Sequence, residues 1–325
     1  MREITFTQAM NEAFDEELKR DPAVFILGED IGRHFGGAVG GFTGLYDKYG
    51  PERIRETPIS ETAILGSAIG AAATGLRPIA SLMYVDFFGV CGDELINQLQ
   101  MRYITGGQVK LPLTITGWCG ARPGSAHQHA KNLFGWLMAI PGLKIVLPTT
   151  PYDAKGLLKS AIRDDNPVVV LSHKAMVFGD MKGEVPEGEY TIPLGQADVK
   201  REGNDVTVVA TASMVHEALA AAAMLQEKNI SLEVIDPRTL VPLDKQTILD
   251  SVKKTGRLVV MSEEPRTGSA AGEIAAIVAE EGFDFLDAPI KRVCAPDTPV
   301  PFSTSLKKCW MPDKDSLIKA ISEMM

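Results

Sequence analysis

Two carboxylates stand where an open α/β sheet would place them at a ligand. Glu29, in Gly28-Glu29-Asp30, follows the apolar run Val24 to Leu27, and Glu61, in Pro58-Ile59-Ser60-Glu61, opens a helical stretch. The carboxyl end of a strand and the helix after it line the crevice where such sheets bind ligands. An acid in a first helical turn also complements the helix dipole, so neither residue makes a site alone. His127 and His129 stand two apart with no third ligand nearby. That suits two loop histidines, one lining a polar pocket, better than a metal pair. The glycines Gly36, Gly37, Gly40, Gly41 and Gly44 lack the spacing and the Lys-Ser/Thr of a phosphate loop. They read as a mobile or closely packed loop. No Gly-x-Gly-x-x-Gly follows a strand and there is no Gly-x-Ser-x-Gly. Dinucleotide binding and a nucleophile elbow therefore have no fingerprint.

The length of 325 residues suggests two domains to position these groups. Lys and Arg total 33 and Asp and Glu 42, a net charge of −9. That balance argues against nucleic acid and against an anionic membrane as partners. No apolar run approaches the ~20 residues that span a bilayer. The start Met1-Arg2-Glu3-Ile4 carries no leader pattern, and Cys91, Cys119, Cys294 and Cys309 form no Cys-x-x-Cys pair. A cytoplasmic, reduced setting is expected.

Helices and short apolar strands alternate along the chain. Helices are expected at Thr7 to Arg20, Ser60 to Gly75 with Ser60 as N-cap, Asp93 to Tyr103, and from Pro151 to about Arg163. The last begins with a Thr150 cap, Pro at the first position and Asp153 in the first turn. Strands are expected at Val24 to Leu27, Arg77 to Leu82, Leu113 to Thr116, Lys144 to Leu147 and Val168 to Leu171. The stretch from Gly179 to Gly203 is polar and rich in Gly and Pro, and a second alternation follows from Val206 to Glu281. The expected division is a first domain over 1–185, a linker over 186–203 and a second α/β domain over 204–325. The helix after Ser60 is rich in Gly, Ala and Ser. Gly there costs ~1 kcal/mol against Ala, which suggests close approach to another element or subunit.

Beyond this point the chain resembles the β subunit of the thiamine-diphosphate-dependent component of 2-oxo acid dehydrogenase complexes. The resemblance runs nearly end to end. It is carried by Gly28-Glu29-Asp30, Glu56-Thr57-Pro58-Ile59-Ser60-Glu61, Val85-Asp86-Phe87, Gln128-His129, Pro141-Gly142-Leu143-Lys144, Glu233-Val234-Ile235-Asp236 and Pro299-Val300-Pro301-Phe302. It implies an α/β fold with a pyrimidine-binding N-terminal domain on a parallel sheet and a transketolase-like C-terminal domain. It implies that Glu61 faces N1′ of the cofactor's aminopyrimidine, and that Phe87 stacks on that ring. Glu29 is expected beside them in the cofactor site. His129 would donate to the substrate oxygen or assist transfer to a lipoyl group. Leu113, Ala161, Asp164 and Asn166 match positions that hold potassium in relatives. The Gly-Asp-Gly motif that holds magnesium and diphosphate is missing, and Gly92-Asp93 and Gly179-Asp180 continue with Glu94 and Met181. The resemblance thus implies an α subunit that supplies the magnesium half of the site in an α₂β₂ assembly, and a lipoyl-bearing acyltransferase core as the next partner.

Within this family, Tyr84 to Cys91, Ser172-His173-Lys174 and Glu189 to Pro193 look more like acetoin dehydrogenase than pyruvate dehydrogenase. Pyruvate or branched-chain 2-oxo acid oxidation is the alternative. A transketolase-like half-chain is more distant, because the cations needed to bind a sugar phosphate are not clustered around the matched residues.

Overall fold

A capping box starts the first long helix. The Gln8 N–H donates to the Thr5 hydroxyl at 3.1 Å, and the Thr5 N–H donates to the Gln8 side chain at 2.8 Å. The computed structural model describes residues 1–325 apart from 38, 39, 123 and 180, so part of the Gly179-Asp180 pair lies outside the described residues. The chain divides into two units. One comprises Met1–Cys119 with Ala139–Leu194, the other Gly120–Met138 with Gly195–Met325. Helices of nine residues or more are numbered below in chain order.

In the first unit the strands are β1 (Arg2–Thr5), β2 (Val24–Gly28), β3 (Ile54–Glu56), β4 (Arg77–Tyr84), β5 (Thr114–Cys119), β6 (Lys144–Val146), β7 (Val168–His173) and β8 (Lys182–Val185). The long helices are α1 (Phe6–Arg20), α2 (Glu61–Ala73) and α3 (Pro151–Arg163). Six strands lie in the order β6-β7-β5-β4-β2-β3, all parallel. Every residue of β2, β5 and β7 is buried, as expected of a parallel sheet covered on both faces. β1 and β8 pair antiparallel beside it. Phe6, Phe14, Ile26, Ile79, Leu157 and Val170 belong to one buried cluster.

α3 follows its sequence signals closely. Thr150 accepts the Asp153 N–H, Pro151 sits in the first turn, and the helix ends at Arg163. Ser60 does precede α2, but its side chain makes no capping bond. The helix expected over Asp93 to Tyr103 is broken into Gly92–Ile96, a 3₁₀ turn Gln98–Gln100 and Met101–Ile104. Asn97 and Gln98 both turn their side chains back onto the Asp93 carboxylate, at 2.7 and 3.1 Å. Such local side-chain bonds compete with a continuous helix. Within the stretch after Val185, Tyr190 stacks on Tyr152 at 4.7 Å and the Ile192 carbonyl accepts from Ser160 at 2.6 Å.

Where α1 meets α3, charge is buried with apolar surface. Lys155 and Lys159 are both fully buried. The Lys155 ammonium reaches Glu12 at 3.0 Å and Glu16 at 2.6 Å, and Lys159 reaches Glu16 at 2.5 Å. Both lysines together hold the Glu16 carboxyl below its ordinary range, against the opposing effect of burial. Arg163 forks onto the buried Glu17.

The second unit carries β9 (Asp198–Arg201), β10 (Val206–Ala210), β11 (Leu232–Asp236), β12 (Thr239–Val241), β13 (Leu258–Pro265) and β14 (Lys291–Ala295). Five of them form a sheet in the order β14-β13-β10-β11-β9, parallel except for β9. Its long helices are α4 (Met214–Gln226), α5 (Lys245–Thr255), α6 (Ala270–Glu281) and α7 (Lys314–Ser322). Val208, Val234 and Met261 share a cluster with Leu225 of α4 and with Leu317 and Ile321 of α7. Val209, Ile235 and Val260 share another with Ile248 of α5 and Ile274 of α6. Alternate strand residues therefore face opposite helical layers, the three-layer arrangement of a doubly wound sheet.

Candidate active site

β2, β3 and β4 are neighbours in one parallel sheet, so the residues that leave their carboxyl ends arrive at one edge. At Gly28 the backbones of β2 and β4 come so close that a Cβ would lie 2.7 Å from the Ser81 carbonyl oxygen. The Gly28 carbonyl accepts the Thr57 N–H at 2.9 Å, which ties the exits of β2 and β3 together. Glu29 and Asp30 then turn out of the strand, Asp30 in the left-handed region at φ 55°. Glu61 is the first residue of α2 and is half-buried. The head of α2 is pinned by the Thr62 hydroxyl, which donates to the Val90 carbonyl at 3.1 Å. Val90 lies in the 3₁₀ turn Val85–Cys91, and that turn carries Phe87 just after β4. Phe87 is half-buried and meets Tyr84 edge to face, with centroids 5.7 Å apart and planes at 87°.

The sheet edge thus gathers Glu29, Glu61 and Phe87, all three expected there. Glu29 feels its neighbours. Burial first, then the charges of Asp30 and Glu61, raise the Glu29 carboxyl above its ordinary range. Burial, then Glu94 and Glu61, push the Cys91 thiol up to about 12, so this cysteine stays a thiol. Thr57 stands at the same edge. Its hydroxyl is buried and has no hydrogen-bond partner among the described residues. The signal available was its place in Glu56-Thr57-Pro58, at the exit of a strand.

His129 belongs to the other unit. It closes the 3₁₀ turn His127–His129, is half-buried, and gives its backbone N–H to the Ala126 carbonyl at 3.0 Å. His127 is exposed, and its carbonyl accepts from the Lys131 ammonium at 2.8 Å. The segment around them lies against the end of β13. Glu263 and Glu264 there are buried, and no sequence motif marked them beyond an acidic pair ending a strand. Burial pushes the Glu264 carboxyl up to about 7, although backbone N–H groups of Gly135 and Ala270 pull it down.

The four positions considered for potassium do converge at the end of α3. The Val168 N–H takes the Leu113 carbonyl at 2.9 Å and the Asp164 N–H takes that of Ala161 at 3.3 Å. Asn166 donates its backbone and side-chain N–H groups to Asp164 Oδ1 at 2.8 and 2.7 Å. The Lys144 ammonium takes the other carboxylate oxygen at 2.5 Å, and Arg77 donates to the Asp164 carbonyl at 3.1 Å. Lys144 and Arg77 thus serve two of the Asp164 oxygens, while the Leu113 and Ala161 carbonyls take backbone N–H groups. No step is assigned to a cation here.

A parallel-sheet unit with acids and an aromatic at one edge, joined to a second doubly wound unit, defines a chain of the transketolase type. Residues 2–178 match the transketolase pyrimidine binding domain and residues 195–317 the transketolase C-terminal domain. The structure superposes on a solved protein described as "Split gene transketolase, inactive beta4 tetramer" with a TM-score of 0.80, covering 99% of this chain and 98% of that one. At 23% identity, that likeness speaks for the fold. The beta subunit of acetoin:2,6-dichlorophenolindophenol oxidoreductase from Bacillus subtilis is 46% identical, over 100% of this chain and 98% of its own. The beta subunit of 2-oxoisovalerate dehydrogenase from the same organism is 41% identical, over 100% and 99%. The chain belongs to the β-subunit family of the acetoin and 2-oxo acid dehydrogenases.

Proposed function

We propose that this chain is the β subunit of a thiamine-diphosphate-dependent dehydrogenase that cleaves acetoin and passes the two-carbon unit to a lipoyl group. The observation that carries the reading is the acid pair Glu29 and Glu61 at the carboxyl edge of a pyrimidine-binding domain. The greater identity to an acetoin than to a 2-oxoisovalerate dehydrogenase subunit, 46% against 41%, favours acetoin over a branched-chain 2-oxo acid.

The residues present fit the aminopyrimidine half of thiamine diphosphate. Two acids, one of them raised by burial and by its neighbours, form a place where a proton is shared rather than lost to water. When bound, the cofactor supplies a nucleophilic carbon for attack on the substrate carbonyl. Glu61 would hold a proton at N1′ of the pyrimidine and so set the tautomer of that ring. Phe87 would stack on the ring's face, and His129 would give a proton to the substrate oxygen. Substituting Phe87→Leu in the assembled enzyme should weaken cofactor binding by about 1 kcal/mol, the worth of an offset ring pair. Titration calorimetry checks this, and unchanged affinity would make Phe87 plain core.

Magnesium and the diphosphate fall to an α subunit, because the chain lacks Gly-Asp-Gly. One face of α2 supports the presence of that partner. Ala63, Gly66, Ser67 and Gly70 follow helical spacing along one face, and all but Gly66, which is half-buried, are exposed. A Cβ added at Gly70 would meet nothing within 4 Å, and one at Gly66 only the Glu94 side chain at 3.8 Å. The close approach that would justify these glycines is thus not made within the unit. Ile59 and Val90 beside this face are 73% and 61% exposed. A second subunit covering the face accounts for both features. A lipoyl-bearing core and a cytoplasmic location complete the reading. No helix among the described residues is long and apolar enough to cross a membrane.

The test is to purify the chain alone and with its α subunit, and to follow reduction of an artificial acceptor. Acetoin should support turnover well above pyruvate or a branched-chain 2-oxo acid, and only in the assembly. The isolated chain should bind thiamine diphosphate weakly, with magnesium adding little. Tight magnesium-dependent binding to the chain alone would refute the divided site.

A further inference from the structure

We infer that Glu263 and Glu264 are positioning residues for His129, holding the two ends of the segment that carries it. The inference rests on the proposed catalytic role of His129. β13 delivers both acids to one point, where they are 2% and 3% exposed. The Glu263 carboxylate accepts the Ala121 N–H at 2.5 Å, and the Glu264 carboxylate accepts the Gly135 N–H at 2.8 Å. Those two residues bracket the turn His127–His129. The second oxygen of Glu264 accepts the N–H of Ala270, the first residue of α6, at 2.9 Å. Glu264 is therefore fixed from the helix side while it fixes the segment.

Between the anchors the Lys307 ammonium donates to the carbonyls of Arg122 and Ser125, at 2.5 and 2.8 Å. The return leg is equally constrained. A Cβ at Gly135 would fall 1.9 Å from the Gly268 carbonyl oxygen, so only glycine allows this approach. Ala121 and Ala130 of the segment also pack with Ala295, Val300 and Trp310. A cavity of about 540 Å³ lies beside the segment, lined by His127, Lys131, Trp136, Glu263, Glu264 and Trp310 among others. Two adjacent buried carboxylates are costly against apolar residues of similar size. What they do here is take backbone N–H groups that would otherwise be buried unpaired, and those groups set where His129 stands.

The test uses the enzyme assembled with its α subunit. Glu264→Gln leaves one oxygen for two backbone N–H groups, whereas Glu264→Asp keeps both carboxyl oxygens. The Gln variant should lose roughly 10–100-fold in kcat with little change in KM, as expected of a displaced catalytic group, and Asp should recover much of that loss. Combined with His129→Ala, Glu264→Gln should cost nothing further, because coupled residues are not additive. Lys307→Met applies the same test from the middle of the segment if the Gln variant does not fold. Wild-type kcat in both Glu264→Gln and Lys307→Met, or losses that multiply with that of His129→Ala, would overturn the inference. A His129→Ala enzyme with wild-type kcat would instead remove the role of His129, and the inference with it.

Discussion

Glu61→Gln is expected to lower turnover of the assembled enzyme by about 10²–10⁴-fold, the usual cost of losing an acid–base partner. Gln nearly matches Glu in shape and can still hydrogen bond, but it cannot exchange a proton at a ring nitrogen. Melting temperature and α-subunit binding should stay close to wild type, because the head of α2 is held by other contacts. Thr62 still bonds the Val90 carbonyl, and the Ile64 N–H still bonds the Ser60 carbonyl at 2.9 Å. One electrostatic consequence is specific. Glu61 is among the charges that raise Glu29, so the variant should let the Glu29 carboxyl titrate lower. A large fall in kcat with an intact assembly is the expected pattern, and loss of assembly would point to a structural acid.

Glu16→Ala should be the most damaging change at the surface between α1 and α3. It removes the carboxylate that Lys155 and Lys159 share, at 2.6 and 2.5 Å, and leaves two fully buried ammonium groups. Lys155 keeps Glu12 at 3.0 Å. Removing one partner of a buried ion pair costs about 3–5 kcal/mol, and the partial exposure of Glu16 places the value near the lower end. Replacing the pair with apolar groups, as in Glu16→Leu with Lys159→Met, should restore most of the stability. Urea unfolding of the three proteins checks the order. A single variant as stable as wild type would show the network to be idle.

What the sequence disclosed depended on how local the cause was. α3 could be read almost to the residue, since Thr150, Pro151 and Asp153 act within one turn. The broken helix after Gly92 could not, because apolar spacing gave no hint that Asp93 would draw in Asn97 and Gln98. The helix Lys314–Ser322 was passed over although Asp313 and Ser316 form a capping box. Residues 120–138 group with the C-terminal unit through bonds such as Ala121 to Glu263, 142 positions apart in the chain, and no local pattern announces such a bond. The site shows the same division. Glu29 and Glu61 stood out by their positions beside a strand and a helix. Phe87 was marked only by resemblance, His129 by resemblance and as one of two loop histidines, Thr57 lay in a matched motif without a role, and Glu263 and Glu264 were marked by neither.

The central claim is that Glu61 activates the cofactor from this chain's side of a divided site. The most direct measurement is the exchange of the C2 proton of bound thiamine diphosphate for deuterium in the assembled Glu61→Gln enzyme, beside wild type. Exchange slowed by about a hundredfold or more, with cofactor affinity little changed, is the predicted result. Exchange at the wild-type rate would contradict it and leave Glu61 as an acid that only complements the dipole of α2.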